Sequence, residues 1–218
     1  MQTHQTMMEA IVTEVHATAY ATGKANLSPV VTLAVQRVPR HEFVPENMRN
    51  LAYANEPLPI GHGQTISQPY IVAIMTELLS LKDTDTVLEI GTGCGYQAAV
   101  LACLAAQVYT LEVVEELAAE ASARLSRLGY TNVDVRVADG HKGLPAHAPY
   151  DAIIVTAAPE AVPMVLIGQL KPGGRMVIPV GSYRYAQSLL LLEKDSAGDI
   201  HKRDVQPVAF VPMVTAPS

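Results

Sequence analysis

The pattern of apolar and polar positions divides the chain into a helical first part and a second part in which strands and helices alternate. Apolar residues recur every three or four positions in two N-terminal stretches, which predicts amphipathic helices over residues 5–21 and 27–37. Short apolar runs predict seven strands, at residues 86–90, 108–111, 133–138, 151–157, 175–181, 187–193 and 204–214. Helical patterns separate the earlier strands, and this alternation predicts a parallel sheet with helices on both faces.

The last two predicted strands depart from the alternation. Only the polar, helix-poor residues 193–203 separate them, so one of the two should run antiparallel. We therefore expect an α/β fold with one doubly wound, Rossmann-like, mostly parallel sheet of about seven strands. A length of 218 residues suits a single domain, 1–218, made of a helical part, 1–80, and a core, 81–218.

Composition and charge indicate a globular enzyme rather than a membrane, secreted or nucleic-acid-binding protein. The longest apolar run of the helix predicted at 97–106 is Ala98–Ala106, too short to span a bilayer. The first residues carry neither the basic start nor the apolar centre of a signal peptide. Only two cysteines are present, Cys94 and Cys103, so we expect no disulfide framework, no metal cage and a cytoplasmic location. A net charge of −6 argues against a nucleic-acid substrate.

A glycine-rich loop joins the first core strand to an alanine-rich helix. Its glycines, Gly91, Gly93 and Gly95, occupy every second position and follow Glu89 in the strand. Glycines allow the backbone to approach a ligand, and the helix start offers unpaired N–H groups. Dinucleotide-binding loops read G-x-G-x-x-G, whereas this loop reads G-x-G-x-G. It resembles the first motif of S-adenosylmethionine methyltransferases; a dehydrogenase and a purely structural turn are the alternatives.

Acidic residues follow the next two predicted strands. Glu112 ends the second strand, 21 positions after Gly91 (112 − 91 = 21), where a carboxylate can accept hydrogen bonds from ribose hydroxyls. Its alternative role is to cap the helix predicted at 114–128. Asp139 ends the third strand beside Gly140, and it could accept from an adenine amino group over a glycine that leaves room for the ring. The alternative is an ordinary Asp-Gly turn.

From residue 36 to about residue 213 the chain resembles the protein-L-isoaspartate O-methyltransferase family. The segment Gly-Gln-Thr-Ile-Ser-Gln-Pro at 63–69 is close to diagnostic for that family, and it precedes the glycine loop in the expected order. The matching stretch around it extends from Pro57 to Tyr70, and further matching segments lie at 37–45, 52–53, 89–96, 149–158, 169–174 and 210–212.

The resemblance implies an enzyme that uses S-adenosyl-L-methionine, releases S-adenosyl-L-homocysteine and needs no metal. Its substrates would be isoaspartyl-containing peptides and proteins, whose free α-carboxyl it would methylate so that the ester recloses to a succinimide and repair begins. A carboxylate is ionised at neutral pH, so no general base is required. No nucleic-acid or membrane partner is expected, and the protein should be a monomer.

The resemblance also assigns roles to residues outside the glycine loop. Gln64, Thr65 and Ser67 would cover the cofactor, and Ser67 would take the active-site role; its alternative role is the N-cap of the helix that follows. The expected substrate-binding residues lie in two segments, which contribute Gly61, His62, Phe210 and Val211. We expect the Phe210–Met213 strand to add main-chain hydrogen bonds to an extended peptide.

Two alternatives to this function remain. The first is a methyltransferase acting on small molecules or nucleic acid with the same cofactor fold. Against it, residues 155–159 lack the Asn/Asp-Pro-Pro-aromatic motif of many amino-methylating enzymes. The second is a non-catalytic binding module, against which the glycine loop, Glu112 and Asp139 are all intact.

Overall fold

A computed structural model describes residues 3–182 and 185–215 of the chain. In these ranges the helices are α1 (His4–Thr22), α2 (Pro29–Arg37), α3 (Pro69–Leu79), α4 (Tyr96–Ala102), α5 (Glu115–Arg127) and α6 (Met164–Gly168). The strands are β1 (Leu58–Gly61), β2 (Gln64–Ile66), β3 (Thr86–Ile90), β4 (Gln107–Glu112), β5 (Val133–Val137), β6 (Tyr150–Val155), β7 (Leu170–Val180), β8 (Gln187–Lys194) and β9 (Ile200–Val208). Short 3-10 helices lie at Arg40–Glu42, Glu46–Leu51, Gly140–Lys142 and Pro145–His147.

The first two helices begin where the sequence offers capping groups. The Thr3 side chain accepts a hydrogen bond from the backbone N–H of Thr6, whose own side chain bonds back to the Thr3 backbone. The Ser28 side chain caps α2 by accepting from the Val31 N–H, and Pro29 occupies the first helical position, where a missing N–H costs nothing. Gly23 ends α1 in the left-handed conformation. Local sequence therefore sets the ends of the N-terminal helices.

The seven core strands form one sheet in the order β5-β4-β3-β6-β7-β8-β9. The first five are parallel, and β8 runs antiparallel to both of its neighbours. The expected doubly wound, mostly parallel sheet with one reversed strand is thus confirmed. The strand order reverses at β3, because the chain moves outward from β3 to β5 and then returns to place β6 on the other side.

The predicted strand at 204–214 is wrong at both ends. β9 begins at Ile200, because Asp195 closes a tight turn in which its side chain accepts from the N–H groups of Ala197 and Asp199. It ends at Val208, and the chain then leaves the sheet to form an isolated parallel bridge between Pro212 and Ala158. The expected Phe210–Met213 strand is therefore a crossing segment.

The hydrophobic core lies on both faces of the sheet. One face packs against α3, α4 and α5, with α1 and α2 joined to the same cluster through residues such as Ile11 and Val35. The other face packs against α6, through Leu166. In the described part of the chain, no helix is long and apolar enough to cross a membrane.

Side chains tie α1 to the far end of the chain. The Arg203 guanidinium, on β9, donates to the carbonyl oxygens of Ala21 and Thr22 at 3.2 and 3.1 Å. The Tyr70 hydroxyl lies 2.7 Å from the Thr18 hydroxyl and donates to the Gln206 side chain at 3.0 Å. Helix α1 is thereby fixed beside β9 and the start of α3.

Candidate active site

A cleft opens at the carboxyl edge of the sheet, where the strand order reverses. Ligand sites of doubly wound sheets form at this point, because loops from neighbouring strands diverge there. Strands β3, β4, β5 and β6 all end at the cleft. Its lining residues come from the strand ends, the β2 strand and the C-terminal crossing segment: Gln64, Thr65, Ile90, Gly91, Gly93, Leu111, Glu112, Val113, Ala138, Gly140, Thr156, Ala157, Val211, Pro212, Met213 and Val214.

Hydrogen bonds hold the glycine loop to β4 on one side and to the residue that follows β6 on the other. Gly91 has a φ of 96°, which L-residues with side chains rarely adopt, and a side chain there would collide with Thr156. The Thr156 hydroxyl, just after β6, donates to the Gly91 carbonyl at 2.7 Å. The Gly91 N–H donates to the Leu111 carbonyl at 2.8 Å. Gly91 and Gly93 therefore line the cleft in a fixed geometry.

Gly95 has a different position from the other two glycines. It is the N-cap of α4, and an added Cβ would lie 3.1 Å from the Leu125 side chain on α5. It is not among the residues that line the cleft. Its location points to helix packing, and a direct contact with a cofactor stays a prediction.

Glu112 lies at the tip of β4 with its carboxylate in the cleft and only 7% of its surface exposed. One oxygen accepts from the Gly93 N–H at 2.8 Å. The other accepts from Val113 and Val114, at 2.9 and 3.0 Å, where α5 is about to begin. These two N–H groups precede the first helical residue, Glu115, and α5 has no side-chain cap, so the capping role considered for Glu112 is not observed. Carboxylate oxygens accept several hydrogen bonds, so the same group retains capacity for ribose hydroxyls.

Asp139 and Gly140 follow β5 and differ in what they offer the cleft. Gly140 lines it, and a Cβ there would lie 2.9 Å from Met213 while also colliding with Ile90. The Asp139 carboxylate instead accepts from the His141 N–H at 3.0 Å and lies 3.0 Å from its ring. Although burial raises the pKa of Asp139, these hydrogen bonds outweigh it and leave the pKa below its ordinary value. Asp139 flanks the cleft without being one of its lining residues.

The β1–β2 hairpin covers one side of the cleft. Gln64 and Thr65 line it, as the sequence predicts for a cover. Gly61, at the end of β1, and His62, in the two-residue turn, are both exposed. His62 has a positive φ of 52°, as such turns require. Neither residue is among those lining the cleft or the adjoining groove.

Ser67 lies between β2 and α3 and faces an adjoining groove rather than the cleft itself. The N-cap of α3 is Gln68, so the capping role considered for Ser67 is not observed. The groove runs between α1 and the C-terminal segment and contains buried Phe210. Its lining residues are Glu14, Ala17, Thr18, Tyr20, Ala21, Pro57, Thr65, Ser67, Gln68, Tyr70, Ile71, Thr156, Gln206, Pro207, Val208, Ala209, Phe210 and Val211.

The cleft and the groove meet. Thr65, Thr156 and Val211 line both, and Ser67 stands beside this junction. The backbone of the crossing segment is already engaged there, since the Ala158 N–H donates to the Val211 carbonyl at 2.8 Å and the Phe210 N–H donates to the Gln187 side chain at 2.6 Å. The expected main-chain pairing of this segment with an added peptide strand therefore meets groups that the protein itself uses.

Glu89 is a buried acid behind the glycine loop. It is 0% exposed, and neither carboxyl oxygen has a hydrogen-bond partner in the described part of the chain. Burial raises the pKa of Glu89 to about 8, the negative charge of Glu112 adds to the shift, and the Thr110 side chain opposes it. The side chain is therefore mostly neutral at pH 7.

The cleft fits S-adenosyl-L-methionine. Ile90, Leu111, Ala138 and Met213 form apolar walls beside Gly140, where no side chain could be accommodated, and such walls suit a flat ring. The Glu112 carboxylate at the adjacent strand end is a hydrogen-bond acceptor of the kind that hydroxyl groups need, and the glycine loop leaves its backbone open. In residues 3–182 and 185–215, no group of three or more His, Cys, Asp or Glu side chains could hold a metal ion.

Several residues of this region were not foreseen from the sequence. From the sequence alone, Thr156 is predicted only as part of a strand. Its position directly after β6, where the strand order reverses, is the feature that could have identified it as a site residue. Tyr70, Gln206 and Glu14 line the groove from three distant segments. Tyr70 is the last residue of the family-like segment 57–70, but no local motif marks Gln206 or Glu14, because their proximity results from tertiary packing.

Comparison with known proteins agrees with this geometry. The family model described as protein-L-isoaspartate(D-aspartate) O-methyltransferase (PCMT) matches residues 13–218. A Polaromonas protein named protein-L-isoaspartate O-methyltransferase 2 is 56% identical over 95% of this chain and 98% of its own length. A Cupriavidus necator protein named protein-L-isoaspartate O-methyltransferase 1 is 56% identical over 95% of this chain and 80% of its own.

Solved structures show the same architecture. One named protein-L-isoaspartate O-methyltransferase superposes with a TM-score of 0.83 at 26% identity, covering 96% of this chain and 65% of the other. A Plasmodium falciparum protein described as PCMT, in complex with S-adenosyl-L-homocysteine, has a TM-score of 0.77 at 22% identity, over 95% and 98% of the two chains. The matched family model and these relatives together show that the chain belongs to the protein-L-isoaspartate(D-aspartate) O-methyltransferase family.

Proposed function

We propose that the cleft holds S-adenosyl-L-methionine, that the adjoining groove holds an isoaspartyl peptide, and that methyl transfer occurs at their junction. The chain is an S-adenosylmethionine-dependent methyltransferase of this family, and it esterifies the free α-carboxyl of isoaspartyl residues so that repair through a succinimide begins. The observation that carries our assignment of the site is the meeting of cleft and groove at Thr65, Thr156 and Val211.

In this proposal the cofactor-binding residues divide by the part of the ligand they serve. Glu112 accepts hydrogen bonds from the ribose, and Gly140 leaves room for the adenine, with Asp139 at its edge. Gly91 and Gly93 bring the backbone close, Gly95 sets the helix that follows, and Gln64, Thr65 and Ser67 form the cover. These roles rest on the cleft lining and on the hydrogen bonds described above.

Bound S-adenosyl-L-methionine supplies a methyl group on a positively charged sulfur. The substrate carboxylate, ionised at neutral pH, needs no proton removed before it attacks. The described residues that line the groove include no His, Lys, Arg or Cys that would act as a base. The protein therefore contributes alignment and exclusion of water, and we assign Ser67 to alignment of the carboxylate.

Substrate selectivity follows from this need for alignment. In isoaspartate the main chain runs through the β-carbon, so the free carboxylate lies one methylene nearer the backbone than in aspartate. A groove that holds the peptide on both sides of the residue aligns only one of the two carboxylates with the methyl group. Phe210 and Val211 line that groove. Gly61, at the end of β1, and His62, in the turn that follows, are the proposed outer contacts.

The test is methyl transfer to two peptides that differ only in an isoaspartyl or an aspartyl linkage. We expect kcat/KM to differ by orders of magnitude in favour of isoaspartate. Comparable methylation of both would reject the repair function and leave a general carboxyl methyltransferase.

The remaining parts of the proposal concern the setting of the enzyme. We propose that residues 1–218 act as one methyltransferase domain, as a monomer, in the cytoplasm and without nucleic-acid partners. The net charge of −6 and the two free cysteines, Cys94 and Cys103, support the last two points.

A further inference from the structure

The groove beside the reaction point carries charge of one sign only. Among the described residues that line it, Glu14 is the single charged side chain, and none is Lys, Arg or His. This distribution is unexpected for a groove that receives an anionic carboxylate. It means that no protein cation pairs with the substrate carboxylate there, and that a negative charge lies along the path of the flanking peptide.

The Glu14 carboxylate is held in place. One of its oxygens accepts from the Asn55 side chain at 2.7 Å and from the Gln68 side chain at 2.9 Å. Asn55 is itself fixed, because its own oxygen accepts from the Tyr70 N–H at 3.0 Å. The other Glu14 oxygen has no hydrogen-bond partner in the described part of the chain, and the residue is partly exposed on the groove side of α1.

The position of Glu14 relates it to the chemistry. Its partner Gln68 directly follows Ser67 in the chain, and Ser67 stands beside the junction of cleft and groove. A peptide whose isoaspartyl residue reaches that junction must pass its neighbouring residues along the groove wall that Glu14 helps to form.

We propose that Glu14 is a specificity-determining residue that selects isoaspartyl peptides with a Lys or Arg beside the isoaspartyl residue and disfavours those with Asp or Glu there. This inference rests on the proposed function. A fixed, partly desolvated carboxylate attracts a flanking cation and repels a flanking anion without touching the reacting atoms. The preference should therefore appear in KM for the peptide and leave kcat nearly unchanged.

The experiment measures kcat/KM for isoaspartyl peptides that differ at one flanking position, which holds Lys, Ala or Glu, on each side in turn. On at least one side of the isoaspartyl residue, the kcat/KM of the wild type should fall from the Lys to the Ala to the Glu peptide, by about three- to tenfold at each step at low salt. Added salt should reduce these differences in kcat/KM. Glu14→Gln, which keeps an acceptor for Asn55 and Gln68, should abolish them, and Glu14→Lys should invert the order.

The matched control is Glu9→Gln, on the same helix but outside the groove, with its carboxylate bonded to Gln5. It changes the net charge by the same single unit and should leave the order intact. Because each comparison is between peptides for one protein, a partial loss of folding cancels from the ratio. Equal kcat/KM for the three peptides on both sides of the residue in the wild type, or an order that Glu9→Gln abolishes equally, overturns the proposal. Failure of the wild type to methylate even the Ala-flanked peptide would instead reject the proposed function.

Discussion

At the scale of single residues, the Ser67 hydroxyl has no hydrogen-bond partner in the described part of the chain. It lies beside the junction of the cleft and the groove. Gln68 takes the N-cap position of α3, and it makes no side-chain capping bond. The hydroxyl is therefore not committed to the helix. It is free to meet a ligand carboxylate, which the local sequence alone could not decide.

We expect Ser67→Ala to lower kcat about tenfold or more, because small displacements of aligned reactants are costly. Cofactor affinity and the melting temperature should change little, since the hydroxyl makes no protein bond that would be lost. Steady-state kinetics with an isoaspartyl peptide, calorimetric titration with S-adenosyl-L-homocysteine and thermal unfolding measure the three quantities. Unchanged turnover with a lowered melting temperature would return Ser67 to a structural role.

At the scale of elements, Glu112 connects the strand β4, the glycine loop and the residues that precede α5. Its carboxylate accepts from the glycine loop at Gly93 and from Val113 and Val114 before α5, while its backbone belongs to β4. The sequence suggested a choice between a ribose contact and a helix cap, and the structure shows no side-chain cap on α5. The carboxylate instead holds together the glycine loop and the link from β4 to α5, beside the cleft proposed for the cofactor.

Replacing Glu112 by Ala should weaken binding of S-adenosyl-L-homocysteine and lower stability together. Each loss should be on the order of 1.5–3 kcal/mol, about tenfold or more in affinity. Affinity falls because the proposed charge-assisted bonds to the ribose hydroxyls disappear, and stability falls because those to the backbone N–H groups disappear. Calorimetry and thermal unfolding measure the two effects. Glu116→Ala, an exposed acid in the first turn of α5, is the control and should change neither by more than about 0.5 kcal/mol. A destabilised variant with wild-type affinity would remove Glu112 from the cofactor site.

Some elements of the fold could be predicted from the sequence and others could not. The strands β3 to β6 and the loop after β3 were predictable, because buried parallel strands are apolar runs and their ends converge at one edge. The course of residues 209–213 was not, since an apolar Ala-Phe-Val segment is typical of a strand. Its departure from the sheet depends on Gln187, 23 positions before Phe210, and on Ala158, both remote in sequence.

At the scale of the whole molecule, the buried Glu89 links stability to pH. Because its folded-state pKa is raised to about 8, the folded protein holds a proton that the unfolded chain releases at lower pH. Its stabilising contribution is fully present below the ordinary pKa of Glu and is lost as the pH rises to about 8. Between these two pH values, the free energy of unfolding falls by up to about 1.4 kcal/mol per pH unit.

Glu89→Gln should remove this dependence, because an amide of similar shape does not titrate. We expect the melting temperature of the wild type, relative to that of Glu89→Gln, to fall between pH 5 and pH 8 and then to level off. Thermal unfolding across that range measures the difference, with Glu160→Gln, an exposed acid, as the control whose curve runs parallel to the wild type. Parallel curves for Glu89→Gln would mean that Glu89 is charged in the folded state.

The fold and the sheet edge proposed for the cofactor were thus largely predictable from the sequence, and the groove proposed for the substrate was not. The cofactor edge is built from neighbouring strands whose ends the sequence marks with glycines and acids. The groove depends on contacts such as Tyr70 with Thr18 and Gln206, which lie 52 and 136 positions apart. Such contacts appear only when the whole chain is packed.

The groove's opposite walls come from α1 and from residues 206–211, which lie on either side of β3 to β6 in the chain. A nascent chain that has emerged only as far as the end of β6 still lacks the segment that contains Gln206. It then has no place to receive a peptide, and its cleft lacks the wall made by Val211, Pro212 and Met213. The order of synthesis therefore places completion of the groove after that of strands β3 to β6, and a chain that stops before Gln206 lacks the groove wall formed by residues 206–211.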